Sequence, residues 1–194
     1  MLLDKVRTEI NSCVLDDPDR HVRFDVDQLL KVPLLQSVYA EVLRLRMHFY
    51  LIRMPDRTDM KIRDWIIPRQ KIICISTTAA HMDPKTWNTK DNKYPANVFW
   101  GERFLRCPKD SSNPIFSMKD TEGSWIPYGG GPRQCPGRTF AKRQIMLTAA
   151  LMVTLFDCEL LDGGKRMEED LKSFSMGIAH PATKVPVKIR RRTE

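Results

Sequence analysis

A chain of 194 residues with 42% apolar side chains is long enough for one domain with a sizeable core, and it carries no repeat or low-complexity tract. The five cysteines (Cys13, Cys74, Cys107, Cys135, Cys158) are scattered, odd in number and without a Cys-x-x-Cys pair, which argues against a disulfide framework or a structural zinc site and points to a reducing compartment. The net charge of +8 comes with no zinc finger, recognition-helix pattern or aromatic RNA-binding signature, so nucleic acid is not an expected partner; the basic residues form either a solvated surface or a face that docks an acidic protein.

In chain order, Leu2, Leu3, Val6 and Ile10 recur at helical spacing and predict a helix over residues 1–13, broken by Asp16-Asp17-Pro18-Asp19. The opening Met1-Leu2-Leu3-Asp4-Lys5 breaks into charge at once and does not read as a signal peptide. Asp25 is placed to cap a short helix through Leu30, and Pro33 suits the first turn of a helix over Leu34–Arg46. Alternating apolar and polar residues predict strands at Tyr50–Arg53, Met60–Ile62 and Lys71–Ile75. The stretch Asp83–Pro127, rich in Pro, Asn, Asp and Lys, reads as a long irregular connection of the kind that is usually either functional or disordered. A glycine-rich turn then opens a helix over Gly137–Phe156, whose nearly apolar run Ile145–Phe156 falls short of the about 20 residues that span a bilayer. The segment Ser173–Ile189 alternates enough to predict a hairpin with His180-Pro181 near its tip.

Two placements carry chemistry. On the Leu34–Arg46 helix, Glu41 falls within the apolar stripe of Leu34, Val38 and Leu45. A carboxylate there is costly unless it is paired and fully hydrogen-bonded. Arg44, three residues on, is within reach and leaves room for a second donor; the alternative is a helix turned so that the pair is solvated. The second placement is the run Trp125-Ile126-Pro127-Tyr128-Gly129-Gly130-Gly131-Pro132-Arg133-Gln134-Cys135-Pro136-Gly137-Arg138. Three glycines let the backbone pass close to something flat or bulky. Pro136 suits the first turn of the following helix, placing Cys135 at a helix amino terminus, where backbone amides and the helix dipole favour thiolate. A phosphate-cradling loop would need a lysine where Arg138 stands, and a cysteine nucleophile would need a histidine base, for which His21, His48, His81 and His180 show no pattern. Metal ligation is the leading reading of Cys135.

These residues together resemble the cytochrome P-450 family. Its haem-binding signature, Phe-x-x-Gly-x-Arg-x-Cys-x-Gly, is met by Tyr128, Gly131, Arg133, Cys135 and Gly137, with tyrosine in the phenylalanine place. Its Glu-x-x-Arg motif is met by Glu41-Val42-Leu43-Arg44, and Ile67-Pro68, His81-Met82-Asp83-Pro84 and Trp87 follow in the family order. Phe99-Trp100-Gly101-Glu102-Arg103-Phe104 resembles the Phe-x-Pro-Glu-Arg-Phe element, with Gly101 in the proline place.

The resemblance implies a mainly α fold with small β-sheets, in which residues 1–194 form the carboxy-terminal part of a single P-450 domain. It implies haem b with Cys135 as axial thiolate, Arg133 and Arg53 on the propionates, Tyr128 packed near the thiolate, and Glu41, Arg44 and Arg103 as a structural lock. It places Met47–Leu51 and Gly177–Pro181 on the substrate side. The activity implied is insertion of one oxygen atom from O2 into a lipophilic substrate, sterol-like, lipid or fungal secondary metabolite, with electrons from an NADPH-dependent flavoprotein reductase. A peroxide-rearranging isomerase of the same fold, or an inactive, weakly haem-binding remnant, are the other readings. Members of this type sit at the endoplasmic-reticulum membrane; the membrane anchor and the central helix that crosses the distal haem face have no counterpart in the 194 residues, so the sequence reads as part of a longer fold.

Overall fold

The computed structural model describes residues 1–16, 21–89, 92–161, 168–170, 172 and 177–192. Helices supply the frame: α1 (Leu2–Asn11), α2 (Val26–Leu29), α3 (Pro33–Arg46), α4 (Thr77–His81), α5 (Pro84–Trp87) and α6 (Arg138–Leu155). Short strands are β1 (Val14–Leu15), β2 (Arg23–Phe24), β3 (Met47–His48), β4 (Tyr50–Arg53), β5 (Met60–Ile62), β6 (Trp65–Ile67), β7 (Ile73–Ser76), β8 (Leu105–Arg106), β9 (Ile115–Phe116), β10 (Phe156–Leu160), β11 (Gly177–Ile178) and β12 (Val187–Arg191). Each pairs with one other strand, antiparallel, in a two-stranded sheet.

The core lies where α1, α2, α3 and α6 meet: Val6, Ile10, Leu29, Leu34, Leu35, Leu43, Met146 and Ala150 form one buried cluster. A second cluster, Ala40, Trp87, Ala96 and Phe104, lies on another side of α3. Burial around so much of its circumference makes α3 the central helix of the structure. Its first turn has no side-chain cap of its own; Glu9 on α1 accepts the Leu34 N–H at 3.1 Å instead. At the far end of α6, Arg7 donates to the carbonyl of Val153 at 3.2 Å and to Asp157 at 2.6 Å. Two side chains of α1, Arg7 and Glu9, thus finish an end of each long helix it packs against.

Several expectations need correction. The first helix stops at Asn11 rather than residue 13, and the acidic breaker behind it falls in part (Asp17, Pro18, Asp19) outside the described residues. The strand expected at Lys71–Ile75 is Ile73–Ser76, its start delayed by the turn at Gln70 with φ 61°. The irregular stretch holds α5, capped by Asp83, and the β8–β9 hairpin. The helix expected from Gly137 begins at Arg138 with Gly137 as its cap, so Pro136 lies outside the first turn.

The expected hairpin does not form as such: residues 173–176 lie outside the described residues, β11 pairs with β3, and β12 pairs with β10. Pro181 and Pro186 lack the N–H donors that a ladder between those segments would use. The β10–β12 register sets Asp157 opposite Arg190 and Glu159 opposite Lys188, which favours that partner. Among the described residues no helix is long and apolar enough to cross a membrane.

Ile10 is fully buried where α1 enters the core, whereas Leu3 on the same helix is exposed. Ile10→Ala is therefore expected to lower stability by about 2–5 kcal/mol and Leu3→Ala by less than about 0.5 kcal/mol, read from urea midpoints.

Candidate functional site

The site is built outward from α3. Glu41 and Arg44 are both fully buried. Glu41 Oε1 accepts from Arg44 Nη2 at 2.9 Å, Arg103 Nε at 2.9 Å and the Trp100 N–H at 3.1 Å, while Oε2 accepts from Arg44 Nε at 2.8 Å. One carboxylate facing two guanidiniums leaves a net positive charge, and backbone carbonyls absorb it. Arg44 Nη1 donates to the carbonyls of His81 and Ala96, each at 2.6 Å. Arg103 donates to the carbonyls of Trp87, Tyr94, Pro95 and Val98.

Both guanidiniums also face aromatic rings, Arg44 over Trp87 at 5.0 Å and Arg103 over Trp100 at 5.6 Å. Burial pushes the Arg103 guanidinium below its ordinary range, and Glu41 pulls it back. The connection after α5 is therefore wound around Arg103 and closed by the Tyr94–Trp100 stack, with ring centroids 4.3 Å apart. Gly101 lies so close to α1 and α3 that a Cβ there would meet Leu2 at 2.8 Å and Val38 at 3.2 Å.

The cysteine loop hangs on this frame at four points. Trp125 Nε1 donates to the Ala40 carbonyl of α3 at 2.9 Å, and the Ile126 N–H donates to His81 Nε2 at 3.0 Å. The Tyr128 and Tyr39 hydroxyls lie 2.7 Å apart, and Arg53 Nη2 donates to the Gly130 carbonyl at 3.1 Å. Gly129 (φ 78°) and Gly131 (φ 69°) take the left-handed backbone that turns the loop, and a Cβ on Gly129 would approach Leu51 at 3.1 Å. A 3-10 turn over Gly131–Arg133 leads to Cys135, whose N–H donates to the Tyr128 carbonyl at 2.9 Å.

Cys135 is half-buried and free of any disulfide, two residues before the cap of α6. Arg138 Nη1 donates to the Cys135 carbonyl at 3.1 Å. Arg133 is exposed, as is Phe140 in the first turn of α6, at 73%. Among the described residues no three His, Cys, Asp or Glu side chains converge as a metal cluster. The segments Met47–Leu51 and Gly177–Pro181 come side by side through the β3–β11 pairing, with Gly177 opposite His48.

Tyr39, Trp125 and the supporting role of His81 were missed in the sequence. Apolar and aromatic residues all around α3 were the available signal, because a helix buried on several sides has a partner on each.

The comparisons fall in line with this geometry. The cytochrome P450 family profile matches residues 2–188. The chain is 38% identical to the cytochrome P450 monooxygenase efuG of Hormonema carpetanum over 99% of its own length and 38% of that protein's. It is 37% identical to the cytochrome P450 monooxygenase fsoE of Humicola fuscoatra, over 97% of its length and 36% of that protein's. The solved structure of retinoic acid-bound cyanobacterial CYP120A1 superposes with a TM-score of 0.70 at 26% identity, covering 98% of this chain and 39% of that one. The chain belongs to the cytochrome P450 family and adopts part of its fold; it spans less than two fifths of the length of these relatives. Membership implies a haem-thiolate cofactor.

Two outcomes follow from the buried groups. Glu41→Gln, Arg44→Ala and Arg103→Ala are each expected to lower stability by about 3–5 kcal/mol: the first leaves two buried guanidiniums without a counter-charge, and the others strip donors from the buried carboxylate and from several backbone carbonyls. The Glu41/Arg103 double-mutant cycle is expected to show strong coupling in chemical denaturation. Burial, then the Arg44 guanidinium, pushes His81 from 6.5 down to about 4. The unfolded chain takes up a proton below pH 6.5 that the native imidazole refuses until about pH 4, so stability falls as pH drops through that window. The loss reaches roughly 3 kcal/mol. His81→Gln, which keeps an acceptor for the Ile126 N–H, is expected to flatten that limb of the stability–pH curve.

Proposed function

We propose that Cys135 is the axial thiolate of a haem b, and that residues 1–194 are the carboxy-terminal part of a P-450 domain that inserts one oxygen atom from O2 into a lipophilic substrate. The observation that carries this reading is the placement of Cys135: a free, half-buried thiol in a loop fastened at four points to α3, α4 and β4, at the entry to α6, in a chain of this family.

The residues fit a flat macrocycle bearing two carboxylates. Gly129 and Gly131 shape the loop backbone without side-chain bulk, and Gly137 leaves space beside the Cys135 sulfur, where a Cβ would stand 3.8 Å away. Phe140 offers an exposed apolar surface one turn into α6. Arg133 and Arg53 supply cations for the propionates; Arg53 spends one nitrogen on the Ile52 carbonyl and another on that of Gly130, and a guanidinium has further N–H groups to offer. Tyr128, whose carbonyl accepts the Cys135 N–H, would pack near the thiolate. A haem so held supplies oxygen-activating chemistry, which thiolate donation favours.

The chain's own residues orient and protect. Met47–Leu51 and Gly177–Pro181, joined at the β3–β11 pairing, contribute to the substrate side. A lipophilic substrate agrees with the retinoic acid bound in the cyanobacterial relative. Exposed Arg133, Arg138 and Arg143 near the loop suit the docking of an acidic, NADPH-dependent flavoprotein reductase as electron donor.

The test is spectroscopic. With haem supplied, the reduced carbon monoxide complex of the chain is expected to show the red-shifted Soret band of thiolate ligation, and Cys135→Ala to lose it. A band that survives Cys135→Ala and vanishes with Cys13, Cys74, Cys107 or Cys158 would overturn the assignment. Product analysis with a reductase and a panel of lipophilic compounds tests the reaction itself.

A further inference from the structure

We propose that Tyr39 is a positioning residue for the cysteine loop: its hydroxyl holds the Tyr128 side chain and, through the Tyr128 carbonyl, the peptide of Cys135. The inference rests on the reading of Cys135 as iron ligand and adds to it the group on α3 that sets where the ligand stands.

Tyr128 makes two bonds at once. Its hydroxyl lies 2.7 Å from that of Tyr39, and its carbonyl accepts the Cys135 N–H at 2.9 Å. The second bond closes the glycine-rich segment into a ring of chain whose two ends are Tyr128 and Cys135. The first ties that ring to α3, where Tyr39 is only 8% exposed among Leu35, Leu43 and Met146. Any sliding of Tyr128 along α3 therefore moves the acceptor of the Cys135 amide.

The arrangement belongs to this sequence. With phenylalanine in place of Tyr128, as in the family signature, the ring could pack in the same space and make no such tether. Here one phenol donates to the other, and among the described residues neither hydroxyl has a further partner. A half-buried hydroxyl without a partner is costly, so the two tyrosines are useful only as a pair. Burial, and after it the Tyr128 hydroxyl, holds the Tyr39 phenol well above its usual range, so the Tyr39 proton remains in place at any working pH.

The Glu41–Arg44 pair starts two residues further along the same helix, so a single rigid element carries both the buried charge lock and the tether. Arg53 holds the Gly130 carbonyl in the middle of the glycine run, and Arg138 donates to the Cys135 carbonyl. Tyr39 and Arg53 thus brace the loop from α3 and β4, and of these two the tyrosine is the one whose partner residue also accepts the Cys135 N–H.

The experiment compares Tyr39→Phe, Tyr128→Phe and the double variant in the full chain, with Ser37→Ala as control. Ser37 Oγ accepts the Phe104 N–H at 3.1 Å, a buried bond on the same helix that does not involve the loop. One readout needs no haem: amide hydrogen exchange at Cys135. Each single tyrosine variant is expected to raise that exchange about tenfold, because one hydroxyl is left without a partner. The double variant should lie closer to the parent chain than either single, since both polar groups are then gone. The second readout, with haem bound, is the share of the reduced carbon monoxide complex in the thiolate-type Soret band, which should fall in the singles and recover in the double. Ser37→Ala should lower the melting temperature without moving either signal.

Unchanged Cys135 exchange in Tyr128→Phe and Tyr39→Phe, or an equal rise in Ser37→Ala, overturns the proposal. The phenylalanine at 128 is the family residue, so that variant keeps the test open should Tyr39→Phe not fold. Persistence of the thiolate band in Cys135→Ala would instead overturn the ligand assignment, while the exchange data would still decide the tether.

Discussion

A carboxylate buried with no solvent access, as Glu41 is, must find donors for all of its lone pairs or the helix that carries it will not stay where it is. Arg44 supplies a two-pronged contact from one turn away, and Arg103 and the Trp100 N–H arrive from the far end of a long connection to supply the rest. The cost of stripping water from three charges is offset because the surplus positive charge is spread over the carbonyls of His81, Ala96, Trp87, Tyr94, Pro95 and Val98. Those carbonyls belong to a segment with little regular structure, and their orientation toward two guanidiniums is what gives it a definite path. Without the lock, that segment would have no common centre, and α3 would carry an unpaired charge in its most buried part.

The cysteine loop depends on the same helix. Ala40, the neighbour of Glu41, accepts the Trp125 indole N–H, and Tyr39 meets Tyr128. His81, whose carbonyl takes one of the Arg44 bonds, receives the Ile126 N–H on its ring nitrogen. The charge lock and the thiol loop are thus joined through single residues, and a disturbance at Glu41 reaches the loop through helix and histidine alike. A metal-ligating thiol gains from this, since a ligand held by rigid neighbours keeps its geometry while the group it binds changes state.

Strand pairing also brings distant segments together. Met47–His48 leaves the end of α3 as a short strand, and Gly177–Ile178, far along the chain, completes it. Arg46, the last residue of α3, pairs with Glu169, so charge reinforces the same meeting of chain ends. The two-stranded sheets are each too small to stand alone. They hold because they are set against a helical frame that fixes their starting points.

By itself the sequence determined the helices with strong apolar spacing, the glycine-rich approach to Cys135 and the family to which these belong, and it left a buried Glu41 as one of two readings. Each rests on local chemistry: a periodic apolar face, a charge in the wrong place for solvent, glycines ahead of a helix. Only the tertiary structure decided the rest. The partner of β12 is β10, because cross-strand charges and proline positions select among strands that look equally able to pair when read singly. The start of α6 moved past Pro136, and the stretch before the cysteine loop acquired a path, because Arg103 gathers carbonyls that carry no signature in the side-chain sequence. Nothing in the sequence singled out Tyr39; what its hydroxyl meets depends on how a loop 89 residues away folds back onto α3. Long-range hydrogen bonds of this kind have no sequence period, and they exist only once the elements have been brought together.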